Sequence, residues 1–98
     1  MDETTPIPLE ITDVLDLHSF PPKEIRDLVR DYLELAREQG YLELRIIHGR
    51  GSGVQRQTVR RILENHPEVE HFTDAPPEAG GWGATVVRLR ANPSVGEP

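Results

Sequence analysis

The residues best suited to chemistry fall in two short stretches. Asp16 and His18 lie two apart in Val14-Leu15-Asp16-Leu17-His18, where apolar and polar residues alternate. A period of two puts both on one face of a strand, with Leu15 and Leu17 on the other. A carboxylate beside an imidazole is the arrangement of a base and its orienter, and Asp16 alone could hold a metal. The alternative is structural: Asp16 caps a loop and His18 packs against a neighbouring strand. The second stretch is His48-Gly49-Arg50-Gly51-Ser52-Gly53, between the apolar run Leu44 to Ile47 and a helical pattern beginning at Val54. Glycines allow sharp turns and let main-chain N–H groups approach a ligand, and a helix start adds positive dipole there. Continued alternation would put His48 on the side of Leu44 and Ile46, so its place at a rim depends on the strand ending there.

Charge distribution points the same way. The 98 residues carry 11 Lys and Arg against 17 Asp and Glu, a net charge of -6. Yet Leu44 to Leu63 holds Arg45, Arg50, Arg56, Arg60 and Arg61 and no acid. This local reversal suggests an anion site, the anion being a phosphate of a nucleic acid, although a solvated helix face would look similar. The overall acidity argues mildly against such a partner. Arg88 could share the open sheet face with Asp16, His18 and Arg45. Trp82, within Gly80-Gly81-Trp82-Gly83, could stack on a base or cap the core edge. His66 and His71 read as ordinary surface histidines. The glycines match neither the dinucleotide fingerprint nor a Walker loop, which needs Gly-Lys-Ser/Thr.

The elements that must position these residues follow from periodicity. Val14 to His18 reads as a strand ended by Ser19-Phe20-Pro21-Pro22. Ile25, Leu28, Val29, Tyr32, Leu33 and Ala36 recur at helical spacing over Lys23 to Gln39, and Gly40 supplies a C-cap. Leu44 to Ile47 is a second strand. Val54 to Asn65 is a second helix, with Val54, Thr58, Val59, Ile62 and Leu63 toward the core, stopped by Pro67. Val69 to Thr73 is a weaker third strand, residues 74–83 a loop, and Ala84 to Arg90 a fourth strand with Thr85, Val87 and Leu89 on one face.

The order βαβαββ predicts an α/β two-layer sandwich: a four-stranded mixed sheet with both helices on one face. One domain over residues 14–90 is expected, with an acidic flexible arm at 1–13 and a flexible tail at 91–98. The absence of cysteine excludes a disulfide framework and a thiolate metal site. No apolar run reaches membrane-spanning length, and the acidic start lacks a signal peptide's pattern. A soluble, cytoplasmic protein is expected.

Three segments together resemble the Smr domain, the small MutS-related domain. They are Leu15-Asp16-Leu17-His18, His48-Gly49-Arg50-Gly51 and Gly80-Gly81-Trp82-Gly83-Ala84-Thr85-Val86-Val87. They are similar to the family's LDLHG, HGxG and GGxGATxV motifs, in the same order across about Val14 to Arg90. The resemblance implies a fold like the C-terminal domain of a translation initiation factor and binding of nucleic acid. It also implies endonuclease activity on DNA or RNA, which some members exert on stalled ribosomes. It carries function onto Asp16, His18, His48, Gly49, Arg50 and Gly51. The family's glycine after LDLH is Ser19 here, which reshapes the rim near His18. A stand-alone endonuclease is therefore expected. A binding module that does not cut is the alternative, and a protein-interaction domain a more distant one. RNA carries its own nucleophile, so two histidines would suffice without a cofactor; a divalent metal ion would be needed only if DNA is cut. Oligomeric state is not legible.

Overall fold

The computed structural model describes residues 11–49, 51 and 53–91. Thus Arg50, Ser52, most of the expected arm and all but Ala91 of the expected tail lie outside the described residues. Strand β1 (Val14–Asp16) runs parallel to β2 (Glu43–Ile47), which pairs antiparallel with β4 (Ala84–Leu89). Strand β3 (Val69–Asp74) closes the other edge against β4, giving the order β1-β2-β4-β3. Parallel β1 and β2 are joined through helix α1 (Ile25–Glu38), and β2 leads into helix α2 (Val54–Glu64). Both helices pack on one face, as the βαβ order predicts. Each therefore starts at the rim where β1 and β2 end.

The same alternation that predicts the strands sorts their side chains. Leu44, Ile46, Thr85, Val87 and Leu89 are buried under the helices, while Arg45 and Arg88 point to the open face. Helix α1 supplies Ile25, Val29, Tyr32, Leu33 and Ala36 to the core, and α2 supplies Val59 and Leu63. Two expected core residues, Leu28 and Ile62, are only partly buried against its edge, and Val54 is exposed. The reason is geometric: a helix lying flat on a sheet buries the centre of its apolar stripe and leaves the flanks half open. In β3 the register shifts between Val69 and His71, so its alternation is broken. That bulge explains its weak sequence pattern.

Helix α1 begins after a 3-10 turn (Pro22–Glu24) with Pro22 at its first position, where a missing N–H costs nothing. Residues 11–13 are fastened to the domain rather than loose. The Tyr32 hydroxyl donates to Thr12 O (2.6 Å) and the Tyr41 hydroxyl to Ile11 O (3.0 Å). Burial pushes the Tyr32 phenol well above its ordinary pKa, so it remains a donor. Among the described residues no helix is long and apolar enough to cross a membrane.

Candidate functional site

Where β1 and β2 end, a cleft of about 430 Å³ opens at the rim. His18, His48, Gly49, Gly51, Gly53 and Arg56 line it, together with Pro22, Val54 and Gln55. The rim is where an open α/β sheet presents ligands to strand ends and helix starts.

His18 stands at the mouth on the turn that follows β1. Asp16 Oδ1 accepts both the backbone N–H of His18 (3.0 Å) and its Nδ1–H (2.8 Å). One Asp16 oxygen thus both caps the turn and holds the ring. These bonds, the backbone one first, hold the Asp16 carboxyl below its ordinary pKa. With Nδ1 committed as donor, Nε2 is the basic nitrogen, and the His18 side chain is 75% exposed. Ser19 Oγ, which replaces the expected glycine, sits 3.4 Å from that Nε2, long for a hydrogen bond.

His48 is placed differently. It continues the alternation of Leu44 and Ile46 and is 5% exposed. Its Nδ1 lies 3.1 Å from Gly49 O and its Nε2 2.9 Å from Thr85 Oγ1. A carbonyl can only accept, so Nδ1 carries the proton and Nε2 accepts from the Thr85 hydroxyl. Burial lowers the His48 pKa and keeps the ring neutral. His48 walls the cleft with both ring nitrogens already engaged.

The glycine loop divides into structural and open positions. Gly49 and Gly53 have φ of +83° and +89°, which other residues adopt only with strain. Gly51 has no positive φ, and a Cβ there would meet nothing within 4 Å. No conformational demand explains that glycine. The amides of His48 and Gly49 both donate to Gly83 O, so they are not free to bind an anion. At the start of α2 Gly53 is the N-cap, and among the described residues no side chain caps it and its first turn has no acid. Its orphan N–H groups and positive dipole face the cleft through Val54 and Gln55.

The arginines scatter. Among the described arginines only Arg56 lines the cleft; its guanidinium lies 4.8 Å from the Trp82 ring centroid and 2.7 Å from Asp74 Oδ1. Trp82 also passes under Gly53, 3.3 Å from where a Cβ would stand, so this ring supports the loop. Arg60 reaches the same Asp74 oxygen (3.2 Å) and covers Phe72. The stretch without acids is therefore not free of acid in space, because the end of β3 brings Asp74 to it. Arg56 in turn holds the Asp74 carboxyl below its ordinary pKa. Arg45 lies on the open face and donates to Ala79 O (3.4 Å), and Arg88 sits between Glu43 and Glu70 there. Neither joins the cleft. Thr85 and Asp74 escaped the sequence reading. Thr85 had a signal in the GATVV segment, whereas nothing marked Asp74.

Removing the Asp74 charge should release Arg56 and Arg60 for a polyanion. Asp74→Asn is expected to tighten polynucleotide binding several-fold and steepen its salt dependence, read by fluorescence anisotropy across a salt series. Unchanged affinity and slope would show that these arginines do not meet phosphate.

The βαβαββ sheet, the paired Asp16 and His18 and the glycine loop define the class, and the chain belongs to the Smr domain family. The Smr domain model matches residues 15–90, which spans both site stretches and the Gly80 to Val87 segment. Among similar proteins is Endonuclease MutS2 of Helicobacter pylori (strain ATCC 700392 / 26695), 41% identical over 86 residues that cover 88% of this chain. Endonuclease MutS2 of Thermus thermophilus is 44% identical over 81 residues, 83% of this chain. In each case the match covers 11% of the relative, so this chain corresponds to about a tenth of those proteins. The crystal structure of the Smr domain of Thermus thermophilus MutS2 superposes with a TM-score of 0.76 at 43% identity, covering 81% of this chain and 99% of that one. YdaL, a stand-alone small MutS-related protein from Escherichia coli, gives 0.75 at 32% identity, covering 80% and 64%.

Proposed function

We propose that the rim cleft binds the phosphate backbone of nucleic acid and cleaves a phosphodiester of RNA. The observation that carries this reading is the Asp16–His18 pair at 2.8 Å, whose His18 lines the same cleft as the start of α2. The first supplies an oriented base and the second a place for phosphate charge. The endonuclease names of the relatives agree with it.

In this scheme the scissile phosphate rests against the first turn of α2 and Gly51, with Arg56 alongside. His18 Nε2 takes the proton of the neighbouring 2′-hydroxyl, whose oxygen attacks phosphorus. The bond to the 5′-oxygen breaks, and that oxygen takes a proton from water at the open mouth of the cleft. The products are a 2′,3′-cyclic phosphate and a 5′-hydroxyl. Asp16 holds the ring and offsets the charge it gains, and helix and guanidinium stabilise charge on the phosphate. His48 acts as a positioning residue, tying the loop to β4 through Thr85. A divalent cation does not fit this donor set: Asp16 Oδ1 already accepts two hydrogen bonds, and among the described residues no three His, Asp or Glu side chains converge.

Binding without cleavage is the second reading, favoured by one observation: His48 has no free ring nitrogen, which leaves a single exposed imidazole in the cleft.

Gly51 tests the binding step common to both. Since a Cβ there meets only open space, Gly51→Ala should leave the melting temperature within a few degrees of the parent. If phosphate approaches this backbone, the same change should weaken binding of single-stranded oligonucleotides about tenfold, roughly 1.4 kcal/mol. Full affinity in Gly51→Ala would place the phosphate elsewhere.

A further inference from the structure

A second groove runs between α1 and α2, about 350 Å³ in volume, with Arg26 and Arg30 on one wall and Arg61 on the other. Thr58, Ile62, Asn65 and His66 complete it, and among the described residues no carboxylate lines it. In a chain with 17 acids and 11 Lys and Arg, most described arginines find a partner. Arg37, Arg56, Arg60 and Arg88 meet carboxylates, and Arg45 and Arg90 meet carbonyls. Among the described residues Arg26 and Arg61 have neither a side-chain hydrogen bond nor an ion pair, and they face each other across this groove. Arg30 makes one loose contact, 3.7 Å to Asp27, with both side chains largely exposed. Contacts of that kind stabilise by little. His66 adds a donor: its Nδ1 accepts the Glu68 N–H (3.1 Å), which leaves the proton on Nε2.

The groove is also placed to continue the rim cleft. Pro22 and Val54 line the cleft; Arg26, four residues on from Pro22 and in the first turn of α1, and Thr58, four residues along α2 from Val54, line the groove. Four residues advance a helix by about 6 Å. Arg30 is one further turn along α1. Beyond it the next hollow is lined by Glu34, Glu38 and Glu68, with Arg37 already held by Glu68 at 2.7 Å. Positive groups at the rim end and carboxylates at the far end give the track a start and a stop.

We propose that this groove carries phosphates of the same strand that occupies the rim cleft, so that the strand turns over the rim and lies between the helices on Arg26, Arg30 and Arg61. The inference rests on the nucleic-acid reading of the cleft. Three arginines here would give the site a footprint longer than its chemistry requires. They also add positive charge for a polyanion in a chain of net charge -6 whose Asp74 already engages Arg56 and Arg60.

The test compares two lengths of labelled single strand, a trimer that fills the cleft and an oligomer of about 15 nucleotides. Each is made as RNA and as DNA, and binding to the full chain is followed by anisotropy across a salt series. The variant R26Q/R30Q/R61Q removes three exposed charges, and its melting temperature should match the parent's. The long strand should bind the variant about tenfold more weakly, with a log–log salt slope smaller by about two. The trimer should bind as before, and RNA and DNA should lose alike, because phosphate is what they share. An unchanged slope and affinity for the long strand, or a loss confined to RNA, would overturn the proposal. If the parent bound neither length, the cleft reading would fall with it. If the parent bound both and the variant matched it, the groove alone would fall.

Discussion

His18→Asn should lower RNA cleavage by roughly 10²–10⁴-fold, the range over which a positioned proton acceptor acts. Asparagine keeps a polar side chain of similar reach but cannot take up a proton. The His18 side chain is exposed, and among the described residues its ring meets only Asp16 and, at 3.4 Å, the adjacent Ser19, so the fold should not notice the change. Melting temperature and affinity for a non-cleavable 2′-O-methyl strand should both be retained. Asp16→Ala should have a smaller effect on rate, because it frees the ring without removing the base. It should also loosen the turn that Asp16 caps at 3.0 Å. Cleavage by His18→Asn at the parental rate would remove the imidazole from the chemistry and leave the binding reading in place.

The second large effect is on stability. His48→Ala should destabilise the domain by about 3 kcal/mol, from an unfilled cavity together with a buried Thr85 hydroxyl that loses its acceptor. For a domain of this size that corresponds to roughly 12–24 °C in melting temperature. Thr85 is fully buried and His48 nearly so, which is why the loss is large for one polar residue. Acid should act through the same ring. The folded His48 has a pKa below its ordinary value, so the unfolded chain binds the proton first. Its contribution is complete above the unfolded value near 6.5 and is lost as pH falls below that. Asp16 and Asp74, whose folded pKa values lie below the ordinary carboxylate value, add stability that disappears only at lower pH, as those carboxylates protonate. Stability of the parent should therefore begin to fall as pH drops below about 6.5, and His48→Gln should flatten that decline. A parent profile flat through this window would mean that the ring is not held neutral.

Local pattern made the architecture legible. Alternation in β1, β2 and β4 and the three-and-four spacing in α1 located the faces, and the βαβ order fixed the side on which both helices lie. Alternation also placed His48 on the core side, and the sequence offered no means of seeing that Thr85 would take its second nitrogen. The site was legible in its types and less so in its roles. Asp16 and His18 meet because they are two apart across a turn, a local fact. The arginines of the acid-free stretch depend on distant chain segments. Asp74, 18 residues beyond Arg56 and 14 beyond Arg60, arrives through the β3–β4 pairing, and no window along the chain shows that. Arg26 and Arg61 pose the same difficulty in reverse: each reads as a solvated helix residue until the two helices are set side by side.

The central claim is that the Asp16–His18 cleft cleaves RNA through the substrate's own 2′-hydroxyl. It is tested most directly by identifying the ends left on a labelled RNA after incubation with the purified protein in EDTA. Cleavage that persists in EDTA, ends in a 2′,3′-cyclic phosphate and a 5′-hydroxyl, and vanishes when a 2′-deoxynucleotide replaces the residue at the cut is the predicted result. Cleavage that requires a divalent ion and leaves 5′-phosphate ends would contradict it.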